Sequence, residues 1–106
     1  MALQINGAQA LCACFSRAQV REVFGIVGGK LGPLLNAVAQ QEQLRFVEVR
    51  HEGTEPMMAA AAHAAPGRIA VALGEMGRGG LNMASGLGVD LNNNLPLQCT
   101  SVCLAF

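Results

Sequence analysis

Apolar residues recur at helical spacing in four segments of the chain. In the first segment they form one stripe, and Asn6 with Gln9 three residues later has the pattern of a capping box at a helix start. Pro33 suits the first turn of a second helix, and Thr54 suits the N-cap of a third. The four predicted helices cover residues 6–18, 33–38, 54–65 and 81–91.

Four short apolar runs alternate with these helices and predict strands. They cover residues 22–26, 44–49, 68–73 and 95–100. Strands that alternate with helices favour a parallel sheet with helices on both faces. The sequence therefore predicts an α/β fold in three layers, α/β/α, and a length of 106 residues limits it to one domain.

Three unusual segments follow predicted strands. Two are glycine-rich, at residues 25–29 and 74–82, and the third is the charged triplet Arg50-His51-Glu52. The carboxyl ends of parallel strands meet at one edge of a sheet, and open α/β folds bind ligands outside that edge. We therefore expect the three segments to lie together and to form the candidate site.

Composition narrows the possible functions. The net charge is zero and no basic patch stands out, which argues against nucleic-acid binding. No run reaches the 18 apolar residues of a membrane helix, and the N-terminus has no basic segment typical of a signal peptide. Only 13% of residues are charged, about half the usual share. This suits either a small, Ala-rich buried domain or, as we favour, a surface that another domain or subunit largely covers.

The four cysteines have no metal-site spacing. They occur as Cys12-x-Cys14 and Cys99-x3-Cys103, and on a helix the first pair points about 200° apart. Buried reduced thiols are the expected state, which suits a cytoplasmic protein.

Glu52 is the candidate with the clearest chemistry, and two interpretations of it stay open. It can simply stabilise the positive end of the following helix dipole, or it can be a partly buried carboxylate whose pKa burial raises for proton transfer. Arg50 is expected to form a salt bridge with Glu48 or Glu52.

The glycine-rich loop at residues 74–80 matches neither common phosphate-binding motif. It lacks the last glycine of G-x-G-x-x-G and the Gly-Lys-Ser/Thr of a P-loop, and the Glu75 carboxylate would repel phosphate. A nucleotide-binding module is therefore disfavoured. Glycine here indicates instead that a backbone or a flat ligand comes close.

The charged triplet and the two glycine segments together resemble one family. The stretches "VREVFGIVGG" (20–29), "RFVEVRHEG" (45–53) and "LGEMGRGGLNMASGLGVDLNNNLPL" (73–97) are similar to the N-terminal pyrimidine-binding domain of thiamine-diphosphate enzymes. These are the acetolactate synthase, pyruvate oxidase and benzoylformate decarboxylase group. The resemblance extends from about residue 6 to residue 101.

The resemblance implies a catalytic role for Glu52. In that family the corresponding glutamate hydrogen-bonds the N1′ nitrogen of the cofactor's aminopyrimidine and so promotes loss of the thiazolium C2 proton. The cofactor then serves as an electron sink for decarboxylation or carboligation of 2-oxo acids. The cofactor-binding residues that the resemblance implies are Gly28, Gly29, Glu52, Gly77, Gly79 and Asn82.

Several residues depart from the family pattern near this site. Arg78 replaces the proline of Gly-Pro-Gly-x-x-Asn, Glu75-Met76 replaces the usual Thr-Ser, and Val27 replaces a proline in the earlier glycine turn. The resemblance therefore leaves the substrate open and points away from a plain acetolactate synthase.

The resemblance also implies a missing partner. In that family another domain holds the diphosphate and Mg²⁺ with a Gly-Asp-Gly…Asn-Asn motif, and that motif does not occur in residues 1–106. We expect this pyrimidine-binding domain to be incomplete at its C-terminus, active only with a diphosphate-binding domain or subunit, and part of a homo- or hetero-oligomer. The alternative is a truncated, non-catalytic packing or interaction domain.

Overall fold

The structure, a computed structural model, describes residues 4–64, 67–95 and 98–101. Helices and strands alternate along the chain as predicted. The elements are α1 (Gly7–Arg17), β1 (Glu22–Gly25), a 3-10 turn (Gly29–Leu31), α2 (Gly32–Ala39), β2 (Arg45–Glu48), α3 (Thr54–Ala64), β3 (Val71–Gly74), α4 (Arg78–Asn82), α5 (Ala84–Asn92) and β4 (Gln98–Ser101).

The strands form one parallel sheet in the order β2-β1-β3-β4. In its register Val23 of β1 lies opposite Phe46 on one side and Val71 on the other. The chain leaves β1 toward β2 and leaves β3 toward β4, in opposite directions. The crevice beyond β1 and β3 is therefore the switch point where open α/β folds bind ligands.

Helices cover both faces of the sheet, which confirms the three-layer α/β/α prediction. On one face α1 and α2 pack together, and their buried residues join Val23 in one apolar cluster. On the other face α3 packs against α5 and against β1, where Phe24 joins Ala59 in a second cluster. Because successive strand residues point to opposite faces, Val23 and Phe24 supply both clusters.

Two local sequence signals act as predicted. The Gln9 N–H donates to Asn6 Oδ1 and the Asn6 N–H donates to Gln9 Oε1, each over 2.9 Å, so the capping box at α1 is confirmed. Pro33 lies in the first turn of α2, as predicted. Thr54 is the first residue of α3 instead of its cap, and its Oγ1 donates to the His51 carbonyl oxygen over 2.7 Å.

The segment after β3 differs from the prediction. The loop was expected to reach residue 80, but α4 already begins at Arg78, and the predicted helix of residues 81–91 is divided at Met83 into α4 and α5. Gly77 explains the early start, because its φ of +62° turns the chain sharply into the helix. Residue 65, the last of the predicted third helix, and residues 96–97 of the predicted fourth strand lie outside the described residues.

Surface features complete the description. No helix in the described residues is long and apolar enough to cross a membrane. Cys12 is buried as expected, but Cys14 is exposed, because two positions along α1 place it on the opposite side. The expectation of a buried thiol was therefore wrong for Cys14. The side chains of Cys99 and Cys103 lie outside the described part of the chain.

Candidate functional site

The strand ends after β1 and β3 are joined by a side chain. Glu75 lies directly after β3, and its Oε1 accepts a hydrogen bond from the backbone N–H of Lys30 over 2.8 Å. Lys30 lies in the 3-10 turn that follows β1. The two glycine-rich segments therefore meet at one edge of the sheet, as the sequence predicted.

Glu52 and Asn82 meet at the same edge although 30 residues separate them. Asn82, the last residue of α4, donates from Nδ2 to Glu52 Oε2 over 3.1 Å. The other carboxylate oxygen, Oε1, faces Gly79, where an added Cβ would lie 3.4 Å away. Three of the predicted site residues, Glu52, Gly79 and Asn82, are therefore brought together around one carboxylate.

The Asn82 amide also governs the charge of Glu52. This hydrogen bond is the largest cause that holds the pKa of the Glu52 carboxyl below its ordinary value, and a backbone hydrogen bond and the nearby Arg78 charge act in the same direction. Burial opposes them but is outweighed, because Glu52 is only half-buried. The expectation that burial raises this pKa was wrong for the chain alone, and Glu52 is ionised at neutral pH.

Gly28 lies directly against the Glu75 carboxylate. A Cβ at residue 28 would overlap both carboxylate oxygens of Glu75, so only glycine fits there without displacing that side chain. The other two predicted glycines have open surroundings. Nothing lies within 4 Å of an added Cβ at Gly29 or at Gly77, and Gly77 serves as the turn into α4.

A cavity of about 360 Å³ opens between these groups. Its lining residues are Glu52, Glu75, Met76, Arg78 and Gly79. Two carboxylates and one guanidinium give it a polar wall with several hydrogen-bond acceptors. Such a wall suits a small ligand that carries N–H donors.

Glu55 is a site neighbour that the sequence reasoning missed. It lies in the first turn of α3, its side chain is fully buried, and neither carboxylate oxygen has a hydrogen-bond partner among the described residues. Burial, followed by the charge of Glu52, raises the pKa of Glu55 to about 8. The sequence could have indicated Glu55 as a site neighbour, because it follows Glu52 by three residues and both acids therefore lie at the start of the same helix.

The predicted salt bridge of Arg50 is absent. Among the residues that the structure describes, the ion pairs join Glu22 to Arg45 over 3.9 Å and to Arg68 over 3.8 Å, and Arg50 contacts neither Glu48 nor Glu52 in this way. The described residues also contain no group of three or more His, Cys, Asp or Glu side chains that could hold a metal ion.

Comparison with known proteins gives a family match and several relatives. The model of the family described as "Thiamine pyrophosphate enzyme, N-terminal TPP binding domain" matches residues 5–103. A pyruvate oxidase from Lactiplantibacillus plantarum is 35% identical over 64% of this chain and 11% of its own length. An acetolactate synthase from Mycobacterium avium is 29% identical over 89% of this chain and 15% of its own length.

A third relative, a catabolic acetolactate synthase from Raoultella terrigena, is 33% identical over 77% of this chain. The chain thus spans between 11% and 15% of the length of these three relatives. The family match, by contrast, covers nearly the whole chain, and the parallel α/β sheet with its glycine-rich strand ends agrees with it. The chain belongs to the family of N-terminal TPP-binding domains of thiamine pyrophosphate enzymes.

Proposed function

We propose that this chain is a thiamine-diphosphate-binding module in which Glu52 is the cofactor-activating carboxylate. The observation that carries the proposal is the arrangement of its two oxygens. Oε2 is held by the Asn82 amide, whereas Oε1 faces Gly79 at a cavity that Glu52 itself lines. One oxygen therefore fixes the direction of the carboxylate, and the other is left for a ligand.

Each side chain has a defined task in this proposal. Glu52, ionised at neutral pH, would accept through Oε1 a hydrogen bond from a protonated ring nitrogen of the aminopyrimidine and so stabilise that protonated form of the ring. Gly79 leaves room for the ring beside that oxygen, because a side chain at this position would narrow the space. When bound, the cofactor supplies the electron sink for decarboxylation or carboligation of a 2-oxo acid.

We also infer that a second domain or subunit completes the site and holds the diphosphate and Mg²⁺. Several apolar side chains at the surface support this inference, since they are poorly suited to permanent contact with water. Leu91 is 81% exposed, Leu81 is 76% exposed and Val27 is 62% exposed. The free thiols of Cys12 and Cys14 favour a reducing compartment such as the cytoplasm.

The decisive experiment replaces Glu52 by Gln in the assembled enzyme, that is, this chain together with its diphosphate-binding partner. Exchange of the C2 proton of bound thiamine diphosphate with deuterated water is followed by NMR after acid quench. We expect Glu52→Gln to slow exchange by roughly 10²–10⁴-fold, the range for loss of a positioned proton-transfer group, while the cofactor still binds.

The matched control is Glu42→Gln, which makes the same change at an exposed glutamate that does not line the cavity. Exchange in this variant should stay near the wild-type rate. Unchanged exchange in Glu52→Gln would remove Glu52 from the proposed role. Calorimetry of this chain alone with thiamine diphosphate and Mg²⁺ should show little binding, and tight binding would contradict the placement of the metal site in a partner.

A further inference from the structure

We propose that His51 is a positioning residue that fixes Glu52 for its contact with Asn82. The Gly53 backbone N–H donates to His51 Nδ1 over 3.0 Å, so the imidazole closes a turn with Glu52 at its centre. The His51 carbonyl oxygen also accepts the Thr54 N–H over 3.1 Å at the start of α3. His51 thus binds the backbone directly after Glu52 through both its side chain and its carbonyl group.

Gly53 connects this turn to the segment that holds Glu52. A Cβ at residue 53 would lie 3.0 Å from His51 Nδ1 and 3.2 Å from the Asn82 carbonyl oxygen, so the Gly53 backbone is enclosed between them. Asn82 in turn donates from Nδ2 to Glu52 Oε2. His51, Glu52, Gly53 and Asn82 therefore form a closed unit in which a shift of the turn moves the carboxylate relative to the amide.

The turn requires one tautomer of His51. Nδ1 can accept the Gly53 N–H only when it carries no proton, so the neutral ring must carry its proton on Nε2. His51 is exposed, which leaves this Nε2–H outside the turn. We therefore assign the positioning role of the ring to Nδ1, which fixes the turn that carries Glu52. The effect of this turn on catalysis rests on the proposed function, whereas the geometry of the turn can be tested without cofactor.

Two substitutions at residue 51 distinguish the role of Nδ1 from that of Nε2. Asn at residue 51 places an oxygen acceptor near the position of Nδ1 and can keep the turn, since Asn side chains bond the N–H two residues on. Gln extends one bond further and places its amide near the position of Nε2. His51→Asn should therefore preserve the closed unit, and His51→Gln should lose it.

NMR of the chain at neutral pH provides the measurement. In His51→Gln, we expect hydrogen exchange of the Asn82 side-chain amide and of the Gly53 amide to rise roughly tenfold, the effect of losing an ordinary hydrogen bond. In His51→Asn, both rates should stay near wild type. Equal behaviour of the two variants, whether both keep or both lose protection, would overturn the proposal.

The ¹⁵N signals of the wild-type ring give a second test that needs no variant. We expect an unprotonated Nδ1 and a protonated Nε2, and the opposite tautomer or an even mixture would overturn the proposal. This test decides the matter if His51→Gln fails to fold, as judged from its amide spectrum. Neither measurement uses thiamine diphosphate, so a negative result here is distinct from a failure of Glu52→Gln to slow C2 proton exchange.

Discussion

Two glutamates three residues apart have opposite environments in this chain. Glu52 is half-buried, accepts a hydrogen bond from the Asn82 amide, and has a lowered pKa. Glu55 is fully buried, has no hydrogen-bond partner in the described part of the chain, and has a pKa of about 8. At neutral pH the first is an anion and the second is a neutral acid.

The contrast shows that the strand-to-helix junction gives different charge states to two glutamates that lie three residues apart in the sequence. A donor from another element stabilises the charge of Glu52, and the desolvated first turn of α3 suppresses the charge of Glu55. The ionised Glu52 also makes ionisation of Glu55 less favourable. Only one of the two acids is therefore available as a charged acceptor at the candidate site.

The largest expected effect concerns Glu55 and the pH dependence of stability. A carboxyl whose pKa is raised on folding contributes its full stability below the unfolded value of 4.5, and this is lost as pH rises through the folded value of about 8. The loss is on the order of 4–5 kcal/mol, at about 1.4 kcal/mol per unit of pKa difference. Urea unfolding of wild type between pH 4.5 and 8.5 should show this decline.

Glu55→Gln is the variant that isolates this effect, because glutamine has a similar shape and does not ionise. Its stability should change much less over the same pH range, although the buried amide can lower stability at every pH. A wild-type curve and a Glu55→Gln curve that run parallel would show that Glu55 ionises normally in the folded chain.

The next effect adds a third carboxylate, Glu75, to the comparison. Gly28→Ala should destabilise the chain by about 1–1.5 kcal/mol, because its Cβ overlaps the end of the Glu75 side chain and displaces it from its hydrogen bond with the Lys30 N–H. Glu75→Ala should relieve most of this cost. A double-mutant cycle from urea unfolding measures the coupling, and additive effects of the two substitutions would contradict the contact.

The smallest effect on stability comes from Asn82→Ala. Loss of the amide should cost about 0.5–1.5 kcal/mol and should move the pKa of Glu52 upward, toward its ordinary value. Asn93→Ala is the matched control, since Asn93 donates to the Val89 carbonyl oxygen away from the site. A ¹³C titration of the Glu52 carboxyl that is the same in both variants would exclude Asn82 as the main cause.

Local signals allowed the sequence to predict most of the fold. The Asn6 capping box and Pro33 act within one helical turn, so neighbouring residues suffice to predict them. The alternation of helices and strands predicts a parallel sheet even where the exact bounds of each element are not known. The start of α4 was missed because Gly77 was interpreted as part of a loop. Its positive φ directs the chain into a helix one residue later.

The site was only partly accessible from the sequence, for two physical reasons. The Lys30–Glu75 contact joins residues 45 positions apart, and no local pattern fixes such a distance. In addition, α3 reverses the usual pattern, because Met57 is 42% exposed and Met58 is 39% exposed, whereas Glu55 is buried. The strand order alone predicted that the segments carrying Glu52, Gly79 and Asn82 lie at one strand edge, but only the resemblance to a family singled out these three residues within them.

A ¹³C NMR titration of the glutamate carboxyl groups, with Glu52→Gln and Glu55→Gln used to assign the two signals, tests the central claim most directly. We predict that Glu52 titrates below the ordinary value for a glutamate and that Glu55 titrates near pH 8. Glu52 would then be the charged acid of the site at neutral pH. A reversed order, or two midpoints at the ordinary value, would contradict it.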